Sequence, residues 1–241
     1  MGHAELQVTS HLQPYWMPFS PNKEFKNEPR LFARAEGMYF YTPEGKQVID
    51  ASAGLFCVAA GHCRREIAEA VYQQLLTLDF TAPFLRAHPK AFELAARVAE
   101  YTPADLNRVF FVNSGSEAVD TAMKMALMYH RVRGQAQRQL FISRERAYHG
   151  VNMGGVALAG MVNNRRAYGP GLAGVYHMRH TALPDNKFIK GQPDNGADLA
   201  EDLQRFCNLL GGENIAAVFV EPTAGSFGCL PPPKGYLPRL R

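Results

Sequence analysis

The clearest pattern along the chain is an apolar run, Val109-Phe110-Phe111-Val112, followed by apolar positions at Ala118, Val119, Ala122, Met123, Ala126 and Leu127. The run reads as a buried β-strand, and the 3.6-residue spacing after it as one face of an amphipathic helix. Between them Ser114 and Glu117 have the S-x-x-E spacing of a capping box, so the helix is expected to begin there. Gln139-Leu140-Phe141-Ile142 reads as a second strand, and Ile215 to Val220 as a continuous apolar, buried parallel strand. Strand, helix, strand forms a βαβ unit, which implies parallel pairing and a right-handed crossover. Helical spacing also covers residues 64–76, with Ile67, Ala70, Val71 and Leu75 inward, and residues 89–100, through Phe92, Leu94 and Val98. A third such stretch, 198–210, places Leu199, Leu203, Phe206 and Leu210 on one face. Met38–Tyr41 and Gln47–Asp50 flank Thr42-Pro43-Glu44-Gly45 and predict a hairpin. Residues 161–195 have no usable period and read as loop.

Composition narrows the class without naming a chemistry. The chain has 241 residues, 46% apolar and 20% charged, as in a globular protein of one large domain or one with a small appendage. No apolar run approaches the ~18–20 residues of a membrane span. Met1-Gly2-His3-Ala4-Glu5 lacks the basic start and apolar core of a secretory signal. A net charge of +4 without blocks of like charge singles out neither nucleic acid nor membrane as a partner. The four cysteines are scattered and form no C-x-x-C pair, so reduced thiols in a cytoplasmic protein are expected. His62 and Cys63 are adjacent, but nothing completes a ligand set and no metal is expected.

The chemistry gathers at the carboxyl ends of the expected strands. Ser114-Gly115-Ser116 turns from strand into helix, so several backbone N–H groups point at one spot with the positive end of the helix dipole behind them. That is a site for a phosphate dianion, with two serine hydroxyls as further donors. Tyr148-His149-Gly150 follows the next strand, and Glu221 follows the apolar run 215–220, both where ligands sit in open α/β sheets. Near the N-terminus, His11 to Phe19 is aromatic and broken by Pro14 and Pro18. It cannot be regular helix, and its rings are expected to be buried in a core, a pocket or a partner subunit. Asp50 to His62 reads as a loop of small residues that leaves Phe56 exposed as a contact.

Taken together, these motifs resemble the class III aminotransferases, and most closely their ω-amino acid:pyruvate (β-alanine:pyruvate) branch. The resemblance is carried by Asn113-Ser114-Gly115-Ser116-Glu117-Ala118, Tyr148-His149-Gly150 and Val220-Glu221-Pro222. Trp16-Met17-Pro18-Phe19, Gly54-Leu55-Phe56, Ala60-Gly61-His62 and Leu230 to Tyr236 add to it, so that it runs from Leu12 to Arg241. It implies an α/β protein: the three-layer, mostly parallel large domain of a fold type I pyridoxal-phosphate transferase, with an N-terminal small-domain segment, truncated. Residues 1–60 would be that segment and 61–241 the cofactor-binding domain, incomplete at its C-terminal end.

The resemblance further implies pyridoxal 5′-phosphate as cofactor. Ser114, Gly115 and Ser116 would hold its phosphate, Tyr148 would stack on its ring with support from His149, and Glu221 would lie beneath it. Phe19, Phe56 and Phe84 would line the substrate pocket, Phe56 by reaching across a dimer interface; the family often has Tyr at the first of these positions and Trp at the second. The implied reaction moves an amino group from an ω-amino acid or amine to a keto acid such as pyruvate, in a homodimer or a dimer of dimers. Diamine or 4-aminobutyrate specificity, or a non-catalytic remnant, are the alternatives. The Schiff-base lysine and the Asp that pairs with the ring nitrogen belong beyond Arg241, so residues 1–241 alone are expected to be inactive.

Overall fold

The computed structural model describes residues 12–103 and 105–241; the N-terminal sequence Met1–Glu5 and His11 lie outside them. The chain divides into two compact units, one running to Glu100 and one spanning Tyr101–Arg241. The boundary expected at residue 60 does not coincide with this division, which leaves residues 61–100 with the N-terminal unit.

In the N-terminal unit, three short antiparallel strands form a sheet in the order β1 (Arg34–Glu36), β2 (Tyr39–Tyr41), β3 (Gln47–Ile49). The expected hairpin is β2–β3, closed through Thr42 to Gly45, with Phe40 opposite Val48. Its third strand, β1, carries only Arg-Ala-Glu and gave no sequence signal. Helix α1 (Asn22–Asn27) precedes the sheet; α2 (Arg65–Thr77) and α3 (Pro89–Tyr101) follow it where the spacing placed them. The expected inward faces are not covered, however. Neither α2 nor α3 buries a residue, and Ile67, Val71, Leu75, Phe92 and Leu94 are exposed. The aromatic segment is likewise not covered by the chain's own core, which leaves a pocket or a partner subunit among the expected places for its rings. Asn22 fixes its backbone, accepting from Met17 N–H at 2.8 Å and donating to Met17 O at 2.9 Å, while Tyr15, Trp16 and Phe19 stand exposed.

Between β3 and α2 lies an unusual turn. Ala53, Gly54, Leu55 and Phe56 have φ of 51, 58, 58 and 71°, four consecutive residues in the left-handed region. Only glycine visits that region freely; each of the other three costs about 1–2 kcal/mol of backbone strain. The surroundings must impose the conformation.

The second unit is built on a parallel sheet in the order β5 (Val175–Met178), β4 (Leu140–Arg144), β6 (Ile215–Val218). Period-two alternation along β4 sends successive side chains to opposite faces. Phe141 packs on one face with Met123 and Leu158, and Ile142 on the other with Met178, Phe206 and Ile215. Helices therefore cover both faces. Helices α4 (Gly115–Val132) and α5 (Met153–Leu158) lie on the first, and α6 (Glu201–Leu210) on the second; α7 (Tyr236–Leu240) packs beside Leu199 and Ala200. Val119, Ala126 and Leu127 of α4 join the core, whereas Ala118 and Ala122 stay exposed. His130 near the end of α4 bonds the Ala216 carbonyl at 2.9 Å and fixes that helix over β6.

Two expectations fail here. Val109 to Val112 is not a strand: among the described residues it has no ladder partner, and Phe110 and Phe111 are exposed. The parallel unit formed is β4–α5–β5, with Phe141 opposite Val175, not a strand–α4–β4 unit. Strand β5 also falls inside 161–195, which reads as loop; at four residues it is too short to show a period.

Candidate active site

The site grows from the N-terminus of α4. Ser114 is the N-cap, extended at φ −154° and ψ 160°, and its Oγ accepts from Glu117 N–H at 3.1 Å. Glu117 reaches back, its Oε2 accepting from Asn113 N–H at 2.9 Å and from the Asn113 amide at 3.2 Å. The capping box is thus closed one residue earlier than its usual form, on Asn113 and not on Ser114. With those groups paired, the N–H groups of Gly115 and Ser116 have no acceptor within the helix and remain for an anion. Ser116 Oγ accepts from Val151 N–H at 3.0 Å and keeps its own proton to donate.

The facing wall is the chain that leaves β4. Gly150 sits at φ 111°, and a Cβ there would lie 2.7 Å from Ser116 Oγ and 2.9 Å from Ser116 Cα, so a side chain would push the two walls apart. Behind it, a Cβ on Gly155 would lie 2.4 Å from the His149 carbonyl, which explains a glycine in the first turn of α5, so close to this segment. Gly115, Ser116, Val119, Tyr148, His149 and Gly150 together line a pocket of about 300 Å³.

His149 is buried, and burial, with the charges of Arg144 and His177 added, holds its pKa down at about 4. The ring is therefore neutral at physiological pH. It meets Phe219 edge to face, with centroids 6.3 Å apart, and its Nε2 is buried with no partner among the described residues. Glu221, half-buried just past β6, accepts a hydrogen bond from the Tyr148 backbone N–H. Burial raises its pKa, opposed by that N–H and by the charge of Arg144; its Oε2 is also without a partner. Arg144 gave no sequence signal. It is buried, and its Nη2 donates to the Glu221 carbonyl at 3.1 Å, joining the ends of β4 and β6.

Of the six residues expected to hold the cofactor, Gly115, Ser116, Tyr148 and His149 share the pocket. Ser114 is engaged in the cap, and Glu221 lies against the backbone of Tyr148. Phe19, Phe56 and Phe84 belong to the N-terminal unit, where all three rings are exposed.

A parallel sheet with unpaired helix-terminal N–H groups beyond its strands, faced by a neutral imidazole, defines an α/β protein of the kind that places ligands at the carboxyl ends of its strands. The class III aminotransferase family model matches residues 21–241, and the chain belongs to that family. It is 53% identical to an omega-aminotransferase of Caulobacter vibrioides over 231 residues, covering 95% of this chain and 53% of the relative. It is 45% identical to the omega-amino acid–pyruvate aminotransferase of Pseudomonas putida over 242 residues, covering 99% of this chain and 54% of the relative. A solved (S)-enantioselective omega-transaminase from Thermomicrobium roseum superposes with a TM-score of 0.90 at 34% identity, covering all of this chain and 54% of that one. The chain thus spans about half the length of the curated relatives it matches.

Class III aminotransferases depend on pyridoxal 5′-phosphate. The residues present fit that group. Free amides at Gly115 and Ser116 and the Ser116 hydroxyl suit a phosphate, Tyr148 offers a ring face, and His149 Nε2 and Glu221 Oε2 are unpartnered polar atoms close by.

Proposed function

We propose that this chain forms part of a cytoplasmic pyridoxal-phosphate aminotransferase. It would move an amino group from β-alanine or another ω-amino acid or amine to a keto acid such as pyruvate, in a homo-oligomer. The observation that carries the reading is the pocket where the free amides of α4 face a neutral His149 and Tyr148. Its partnering pattern suits a flat, phosphorylated ring better than a nucleotide: the turn Ser114-Gly115-Ser116 has neither G-x-G-x-x-G nor a Walker sequence.

When bound, the cofactor supplies an electron sink for the carbanion formed as the amino group moves. The chain's own residues bind and orient. Gly115 and Ser116 hold the phosphate by N–H groups that the helix cannot use. Tyr148 covers one ring face, and its backbone is steadied by the bond to Glu221. His149, kept neutral by burial, supports Tyr148 without bringing a cation near the ring. Phe19, Phe56 and Phe84 are proposed to shape the space for the amino donor.

The described lining of the pocket contains no lysine, and amino transfer needs a lysine amine to shuttle the proton. Residues 1–241 alone are therefore proposed not to transaminate. The test is alanine formation from pyruvate with β-alanine as donor, measured for the complete encoded protein and for residues 1–241. Turnover by the first and none by the second is expected. No amino transfer by the complete protein with any ω-amine would overturn the function, and turnover by residues 1–241 would overturn the division of labour.

A further inference from the structure

The left-handed turn Ala53–Phe56 is held by two side chains that the proposed reaction does not use. Asp50, at the end of β3, is buried, and its carboxylate is fully engaged. Oδ1 accepts from Ser52 N–H and from the Ser52 hydroxyl, both at 3.1 Å. Oδ2 accepts from Gly54 N–H at 2.6 Å and from His62 Nε2–H at 2.8 Å. The carboxylate thus spans the entry to the turn and ties it to a residue beyond its exit.

His62 is itself anchored to the hairpin three ways. Its N–H donates to Gly37 O at 2.7 Å, its carbonyl accepts from Gly37 N–H at 3.2 Å, and its ring packs on Phe40 with centroids 4.4 Å apart. Gly54 has space for no Cβ, which would meet Val58 Cγ2 at 2.9 Å. The result is a turn that no local preference favours, imposed from both sides. It leaves Phe56 72% exposed, on a strained and non-interchangeable backbone. Strain of this kind persists only where the surroundings over-determine it, and it collects where a side chain must be presented in advance.

We propose that Asp50 and His62 are positioning residues. They preset the turn so that the Phe56 ring is presented to the amino donor already ordered, and ordering is not left to the moment of binding. This rests on the reading of Phe56 as a substrate-facing residue. A ring ordered in advance lowers KM for a donor that packs on it and leaves the proton-transfer step alone.

The experiment uses the complete encoded protein loaded with pyridoxal phosphate, with benzylamine as donor and pyruvate as acceptor. Asp50→Ala and His62→Leu are expected to raise the benzylamine KM about tenfold with kcat within about twofold, the same change expected of Phe56→Ala. His62→Gln, which keeps a donor at the same reach, is expected to restore most of the loss. In the Phe56→Ala background, His62→Leu is expected to add nothing, because it acts through that ring. Hydrogen exchange gives a reading that needs no turnover. Amides of residues 52–58 should exchange at least tenfold faster in His62→Leu, with residues 115–132 unchanged. Unchanged exchange at 52–58 overturns the clamp itself. Faster exchange with additive KM effects, a collapse of kcat, or a parent protein without amino transfer overturns the presenting role, and the last of these also sinks the function.

Discussion

Ser116 Oγ accepts a hydrogen bond from Val151 N–H at 3.0 Å, so the first turn of α4, proposed to hold the cofactor phosphate, is fastened to the segment that carries Tyr148 and His149. One hydroxyl thus joins the two walls of the pocket and, in the proposed function, gives its proton to the phosphate. Ser116→Ala should therefore weaken pyridoxal phosphate binding about tenfold to a hundredfold, the range for a lost hydrogen bond to a charged group. Ser114→Ala is the control. Its hydroxyl is engaged with Glu117, so it should lower stability by about 1 kcal/mol with a much smaller effect on cofactor affinity. Fluorescence titration of the cofactor alongside urea unfolding separates the two.

Gly150→Ala should be the more severe change at the pocket. The position needs φ 111°, and the added methyl would press on Ser116 Oγ and Cα, which are backbone and near-backbone atoms with little room to yield. We expect cofactor affinity to fall at least tenfold, about 1.4 kcal/mol, together with a lower melting temperature. An alanine variant with parental cofactor affinity would show that the two walls separate freely.

What could be read from the sequence followed from local signals. Capping at Ser114 and Glu117, the Pro/Gly turn of β2–β3 and the spacing of α2, α3 and α6 depend on residues close in the chain. What failed depended on distant partners. Val109 to Val112 has every strand preference, yet a strand exists only where a neighbour completes its ladder. The apolar faces of α2 and α3 were periodic, but period does not say what will cover them. At the site, Gly115, Ser116, Tyr148 and His149 were legible as motifs. Arg144 was not, because its role arises only when β4 and β6 lie side by side and bring it to Glu221.

His149 makes a pH prediction with a definite sign. Its folded pKa, about 4, lies below the 6.5 of an exposed imidazole. Below 6.5 the unfolded chain takes up a proton that the folded site refuses, so stability is full above about pH 6.5 and declines as the pH falls toward 4. The shift corresponds to about 3 kcal/mol across that window. His177 and His180 are also held low by burial and act in the same direction, so the parent alone does not isolate His149. Urea midpoints at pH 7 and pH 5 for the parent and His149→Gln should differ in slope, the variant losing less on acidification. Equal losses would mean that His149 does not carry this linkage.

Arg179 and Asp202 dock α6 onto the end of β5, away from the pocket. Arg179 Nε and Nη2 donate to Asp202 at 2.8–3.1 Å, and the Arg179 backbone N–H donates to Asp202 Oδ2 at 2.8 Å. The two partners differ in environment: the Asp202 carboxylate is buried, while most of the Arg179 side chain is in water. The guanidinium contact is therefore screened, and the weight of the interaction rests on the carboxylate, which also faces the positive end of its own helix. Asp202→Ala should cost about 2 kcal/mol, because it removes the buried acceptor shared by the Arg179 backbone N–H and guanidinium, whereas Arg179→Ala should cost about 1 kcal/mol or less. The Arg179 hydrogen bonds hold the Asp202 pKa below the ordinary carboxylate range, so this contribution persists down to acid pH and disappears only as the carboxylate protonates. Cofactor affinity measured at a temperature where both variants are folded should match the parent. A loss of affinity in Asp202→Ala as large as that in Ser116→Ala would mean that the α6–β5 joint also shapes the pocket.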